Sequence, residues 1–399
     1  MTHTEAVLFS PYDYDFHEDP YPVYDRLREQ APLYRNEELG FWALSRYTEV
    51  SAGFRDSKRL SSANGVSLDP AAYGPHAHKV MSFLAMDSPR HARMRSLVSK
   101  GFTPRRVREL EPRIAELTRQ HLDPALERGE FDFVGEFAGK LPMDVISELM
   151  GVQESDRDQL RHLADAVVHR EDGVFDVPHS AAEASLELLQ YYAEMLAERR
   201  RRPTEDLTSA LLEAEIDGDR LTDEEITGFL FLMVVAGNET TTKLLANSVY
   251  WGWRNPDQLA KPLADSSRVP DWVEETLRYD TSSQVIARTA ATDLEYHGRT
   301  VPSGDCVLLL VGSANRDPRT FAEPDRYDID RDTSQQIASF GGGPHFCLGA
   351  HLARLEARIA LTELVERVRG IEVDAAQAQR VHSTNVRGFA SLPVRVDAA

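Results

Sequence analysis

From about residue 88 to 255, apolar residues recur every three to four positions, the spacing of one buried face of an α-helix. Short breaks such as TPRRV, GEFDFV and VFDVPHS divide this region into successive helices. Before it, PYPVYDRLREQAPLYR predicts a short helix, and the alternation in GFWALSRY predicts a hairpin strand. After residue 284 the pattern changes to short strands, VIARTA and LEYHGRTVPSGDCVLLL, and then to a proline-rich meander, DPRTFAEPDRYDIDR. A last helix follows residue 347, and short strands close the chain. The fold class is therefore mainly α with small β-sheets. No Gly/Ser/Pro-rich linker or internal repeat interrupts the pattern, so residues 1–399 are expected to form one domain, β-richer over about 1–85.

One helical stretch stands apart. LTDEEITGFLFLMVVAGNETTTKLLANSVYWGWRNP opens with a capping box, Thr222 to Glu225, and meets no proline until Pro256. A helix of about 30 residues is roughly 45 Å long, enough to cross a whole domain. Its middle contradicts its ends, because Ala236-Gly237 precedes Asn238-Glu239-Thr240-Thr241-Thr242. Glycine costs about 1 kcal/mol relative to alanine in a helix, and β-branched residues add to that. The pattern predicts a local opening where a ligand approaches the backbone beside a hydroxyl and a carboxylate. The most apolar window, GFLFLMVVAG, is too short for a membrane span, which takes about 20 residues.

Charge narrows the partners. The net charge of -20 argues against a nucleic-acid binder, which needs a basic face. The exception is an acid-free basic run of Arg90, Arg93, Arg95, Lys100, Arg105, Arg106 and Arg108. Arg199 to Arg202, before Pro203, fit the cationic last turn of a helix. The amino terminus lacks the pattern of a signal peptide, and two cysteines suit a reducing compartment, so a cytoplasmic location is expected.

Candidate chemistry gathers at FGGGPHFCLG, residues 340–349. Three glycines are costly unless something must come close to the backbone. Cys347 falls at the predicted first turn of the last helix, where the positive end of the dipole favours a thiolate, the metal-binding form. A buried small hydrophobe, a pair with Cys306 and a zinc site with His345 remain alternatives on these residues alone. In VPDWVEETLRYD, Glu275 and Arg278 share a helical face, and in MDSPRHARMRSLV so do His91 and Arg95, within the acid-free run.

Together these stretches resemble the cytochrome P450 family, in particular its soluble bacterial members, over essentially the whole chain and in the same order. FGGGPHFCLG is similar to the family's haem-binding loop F-G-x-G-x-H-x-C-x-G. AGNETT is similar to its oxygen-activating groove, EETLR to its Glu-x-x-Arg, and ANRDP to a further familiar element. The resemblance implies a single-domain P450 fold, with the long helix crossing above haem b (iron protoporphyrin IX). It implies Cys347 as the axial thiolate, with Phe340 and Gly349 in its loop and the glycines lying against the porphyrin. His91, Arg95, Arg288 and His345 would hold the haem propionates, and Arg326 in PDRY would partner Glu275 and Arg278. Glu239 and Thr240 would hold water and deliver protons during reductive activation of O2, with Gly237 and Ala236 leaving room for the gas.

The same resemblance implies a monooxygenase that hydroxylates or epoxidises a small, largely apolar organic molecule of secondary-metabolite, terpenoid, steroid or macrolide type. Its pocket would draw on Leu232, Val235, Gln284, Val285, Ile286, Val386 and Phe389, with segments 61–85 and 164–182. Polar residues such as Asn64, Tyr73 and Asn385 belong to the same implied surroundings. Electrons would come from a ferredoxin and its reductase, docking on Arg105, Arg106, Arg108, Arg354 and Arg358. A monomer is the expected state. Phenol coupling or desaturation at the same haem, or haem binding without turnover, are the alternative readings.

Overall fold

The computed structural model describes residues 7–99, 102–171, 174–333 and 336–398. The predicted hairpin forms from Leu33–Asn36 and Phe41–Leu44. It is the edge of a five-stranded sheet, in which Phe41–Leu44 runs parallel to Cys306–Leu310 and the latter antiparallel to Val285–Ala290. Leu60–Ser61 closes the other edge. Alternate residues of these strands bury opposite faces, so Val307 and Leu309 enter one apolar cluster and Leu308 and Leu310 another.

Helices make up the rest of the body. The central helix, Asp223–Arg254, is capped as its sequence predicts, with Thr222 and Glu225 exchanging side-chain hydrogen bonds with each other's backbone N–H. Leu141–Met150, Arg157–Val168 and His179–Arg201 pack against it, as do Val269–Tyr279 and Ala350–Val365. A helix covered in this way must be apolar almost all round, which explains the weak amphipathicity of GFLFLMVV. Among the described residues no helix is long and apolar enough to cross a membrane. The arginines at the end of His179–Arg201 act on neighbouring elements: Arg199 reaches Asp206 and the Gly151 carbonyl, and Arg200 reaches Asp223.

The expected opening at Ala236–Thr242 is absent. The central helix is unbroken there, and the Thr240 hydroxyl donates to the Ala236 carbonyl one turn back, at 2.8 Å. The Thr240 carbonyl in turn accepts from the Ser282 hydroxyl at 2.7 Å. Packing on several sides outweighs a propensity penalty of about 1 kcal/mol at Gly237.

Glu275 and Arg278 are fully buried and paired through two parallel bonds of 2.7 and 2.8 Å. The remaining guanidinium protons go to the carbonyls of Asn315, Pro324 and Arg326, and the Glu275 carboxylate accepts the Asp328 N–H. Arg326 is therefore not the partner expected from PDRY, because its side chain is 57% exposed and faces Glu323 and Asp328. Arg331, five residues on, takes that place, with Nε 3.6 Å from Glu275 Oε2. A strongly turned meander decided which arginine points inward, and spacing along the chain does not carry that information.

Candidate active site

The FGGGPHFCLG loop turns sharply and delivers Cys347 to a cavity under the central helix. Gly341 and Gly343 adopt φ of +66° and +61°, which side chains rarely tolerate. A Cβ on Gly343 would stand 2.8 Å from the Phe54 carbonyl oxygen. These glycines thus allow the turn and its seating on the helix Tyr47–Arg55, and Gly341 also lines the cavity that holds Cys347. Gly349 is different, since a Cβ there would meet nothing within 4 Å. The Cys347 N–H donates to the Phe340 carbonyl at 2.9 Å and closes the loop.

The helix begins at Ala350, with Gly349 as its N-cap, so Cys347 precedes the first turn expected to contain it. Its sulfur accepts from the amides of Gly349 and Ala350. Burial pushes the thiol up, against those amides and the charges of Arg95 and Arg354, so the easily ionised thiol expected from the helix dipole is not found. A bound cation reverses that balance, because a coordinating thiol is deprotonated outright.

Beside the cysteine lie four basic groups, none of which forms an ion pair with a described carboxylate, although Asp87 lies near enough to act on His91 and Arg288. His91 and His345 stand with ring centroids 4.1 Å apart. Arg95 comes from the helix Arg90–Val98 and Arg288 from the strand Val285–Ala290. His91 Nε2, His345 Nδ1 and Arg95 Nη1 are buried without a hydrogen-bond partner. Arg288 is bonded to the neighbouring Ala287 carbonyl. Burial depresses all four, Arg288 to about 10; burial with Arg288, His91 and Arg95 nearby pushes His345 to about 3. Two buried guanidinium groups and two neutral imidazoles that leave donors or ring nitrogens unused suit a bound polyanion.

The opposite wall is the central helix. Leu232, Met233, Ala236, Gly237, Thr240, Thr241 and Leu244 face the cavity at helical spacing. Val66, Leu84, Ile146, Ser283 and Ile286 complete that side, and Phe340, Gly349 and Glu356 lie on the cysteine side. A thiol below, a hydroxyl above and a cationic rim beside them suit a flat, anionic metallo-ligand.

A model of the family described as Cytochrome P450 matches residues 178–395. The chain is 65% identical over 392 residues to cytochrome P450 123 of Mycobacterium tuberculosis, covering 98% of each. It superposes on the polyketide synthase P450 PksS of Bacillus subtilis at a TM-score of 0.89 and 35% identity, covering 98% of this chain and 100% of that one. It also superposes on CYP109E1 of Bacillus megaterium in complex with testosterone, at a TM-score of 0.88 and 32% identity, covering 96% and 98%.

The chain belongs to the cytochrome P450 family. It is a haem b monooxygenase, and the residues present fit that cofactor. Its two propionates would supply the anions that the His91, Arg95, Arg288 and His345 cluster lacks, and its iron would supply the cation that favours Cys347 as thiolate.

Several expected site residues lie elsewhere in this P450. Glu239 faces away from the cysteine cavity, into a second cavity behind the central helix. Gln284 is buried beneath Gly312, bonded to the Tyr24 hydroxyl and the Thr281 carbonyl. Val285 belongs to the apolar cluster under the sheet, and Phe389 packs on Tyr250 at 4.8 Å between centroids. Val386 is buried beside an isolated bridge to Ser283, and Val235 packs toward the helical core. None of these six lines the cysteine cavity, nor does any described residue of segment 164–182. Asn64 and Tyr73 are engaged with Thr289, and Asn385 with Ser383. Met233, Thr241 and Leu244 were legible from the phase of Ala236 and Thr240, whereas Ile146 joins them only through helix packing.

The expected cationic docking face is largely matched internally. Arg105 pairs with Glu109 at 2.9 Å, Arg354 with Glu274 at 3.0 Å, and Arg358 with Glu111 at 2.8 Å. The Arg106 side chain and Lys100 lie outside the described residues.

Proposed function

We propose that Cys347 is the axial ligand and that the enzyme inserts one oxygen atom of O2 into a neutral, largely apolar molecule lying between Thr240 and Ile286. Haem, when bound, supplies the reductive activation of dioxygen. The placement of Cys347 beneath Gly237 and Thr240, with the cationic rim alongside, carries this reading. Hydrogen bonds from the Gly349 and Ala350 amides hold the sulfur and temper its donation. Gly237 presents no side chain toward the cysteine, which leaves room for a diatomic gas.

Thr240 serves as the hydroxyl that passes protons into the cavity. Its proton is shared with the Ala236 carbonyl, so its oxygen lone pairs are available to accept a further hydrogen bond. Glu239, the next residue along the same helix, supplies the carboxylate for that transfer.

The polar groups on the substrate side are the neutral hydroxyls of Thr240, Thr241, Thr281, Ser282 and Ser283, among described residues. A neutral lipophilic skeleton suits this wall, because no carboxylate there receives an amine. Testosterone bound in CYP109E1 and the polyketide setting of PksS support a steroid- or polyketide-sized skeleton. Electrons arrive from a separate ferredoxin and its reductase, in the cytoplasm and to a monomer.

The test is the carbon monoxide difference spectrum of the dithionite-reduced protein, with and without Cys347→Ser. The wild type gives the band of thiolate-ligated haem, and the variant loses it. A histidine-type band in the wild type overturns the assignment. Steroids and polyketides that convert the resting spectrum from low to high spin then define the substrate class.

A further inference from the structure

A second cavity of about 790 Å³ lies behind the central helix, on the side away from the cysteine. Its inner wall carries Arg161 and Asp165 from the helix Arg157–Val168, and Glu239 and Lys243 from the central helix. Glu239 is 2% exposed and pairs with Lys243, Oε2 to Nζ, at 3.1 Å. Asp165 is hydrogen-bonded to Glu239 and keeps 45% of its side chain open to the cavity. Two hydrogen-bonded carboxyl groups disfavour double ionisation and tend to share one proton, with Lys243 and Arg161 opposing that tendency. Burial and the Glu239 charge raise Asp165, whereas Lys243 and the Asp165 hydrogen bond overcome burial and lower Glu239. These directions favour the proton on Asp165, the partner that solvent can reach.

We propose that Asp165 is a positioning residue for proton supply, reloading Glu239 from the second cavity so that Thr240 can be served on the other side of the same helix. The Asp165 O–H bond breaks as an O–H bond on Glu239 forms, and Asp165 regains its proton from solvent. No electrons move. The inference rests on Glu239 and Thr240 as the delivery pair. Arg161 and Lys243 are the charges facing the carboxyl pair, and Glu18, His169, Arg380 and His382 line the cavity beyond it.

The sign of the pH effect follows. A raised Asp165 holds its proton through neutral pH and loses it as pH rises through its own pKa, so product formed per electron falls on the alkaline side. Asp165→Asn, which cannot pass a proton on, should couple poorly at every pH. Its proton-dependent step should slow on the order of 100-fold, the lower range for a positioned general acid, with a larger solvent isotope effect and more peroxide. Asp165→Glu should restore both coupling and the alkaline fall.

The carbon monoxide band and the substrate spin shift are recorded first on each variant, and confirm an intact haem pocket. Wild-type coupling in Asp165→Asn across the pH range overturns the proposal. If Thr240→Ala is uncoupled in the same assay, the failure belongs to Asp165 alone, and if it also couples, the delivery pair fails with it. Should Asp165→Asn not fold, infrared spectra of the wild type decide. A protonated carboxyl that titrates on the alkaline side and survives Glu356→Gln supports the shared proton, and its absence removes it.

Discussion

His91 and His345 face each other across 4.1 Å, each with a buried ring nitrogen bonded to nothing. They come from segments more than 250 residues apart in the chain, and two imidazoles so placed gain nothing from each other. With Arg95 and Arg288 alongside, they present the donors that the proposed propionates would use.

Loss of one member should therefore appear as loss of cofactor rather than loss of fold. A charge-assisted hydrogen bond contributes about 1.5–3 kcal/mol, so His91→Ala or Arg288→Ala should speed haem release roughly 10- to 150-fold. Transfer of haem to apomyoglobin measures that rate. An unchanged rate for both variants would remove the propionate assignment.

Thr240→Ala should leave the helix intact and alter the fate of electrons. The hydroxyl bonds only the carbonyl four residues back, and such a bond adds little to helix stability. Haem content and melting temperature stay near wild type, while peroxide per reducing equivalent consumed rises several-fold. Peroxide assay against product formation checks this.

The buried Glu275–Arg278 pair separates the two candidate arginines. Glu275→Gln leaves a buried guanidinium without its counter-charge and should cost about 3–5 kcal/mol. Arg326→Ala, at an exposed position, should cost less than about 0.5 kcal/mol. Arg331→Ala should lie between them, since its side chain is largely buried beside Glu275. Denaturant titration of the three variants gives the order directly.

Asp280 predicts an acid limb. It is fully buried, and although burial alone would raise it, Arg387 and Arg380, with hydrogen bonds from Trp251 and Tyr21, hold it below its ordinary value of 3.8. A depressed carboxylate contributes stability above its unfolded pKa and loses it as pH falls through the folded one. Asp280→Asn should destabilise the protein near neutrality and flatten the decline of stability below pH 3.8. Unfolding free energy measured across that range tests both.

The resemblance named Cys347, His91, Arg95, Arg288 and His345 together from short motifs, and the fold gathers them around one cavity, with His91 against His345. Helical phase alone would have added Met233, Thr241 and Leu244 to Ala236 and Thr240. Arg326 and Gln284 were misplaced for one reason: both lie where the chain bends sharply, and a bend decides the inward side chain through contacts with distant segments.

By itself the sequence determined the order of helices and strands, the capped central helix and the turn that presents the cysteine. These follow from periodicity, capping and backbone freedom, which act over a few residues. Tertiary structure decided that the central helix runs unbroken through Gly237, because the helices packed around it supply more than the local penalty. It also decided that Glu239 faces Asp165 and Lys243 across a second cavity, while its neighbour Thr240 faces the cysteine. Consecutive helix residues point about 100° apart, and only the packing of Arg157–Val168 against one side and the FGGGPHFCLG loop beneath the other gives those directions their chemistry.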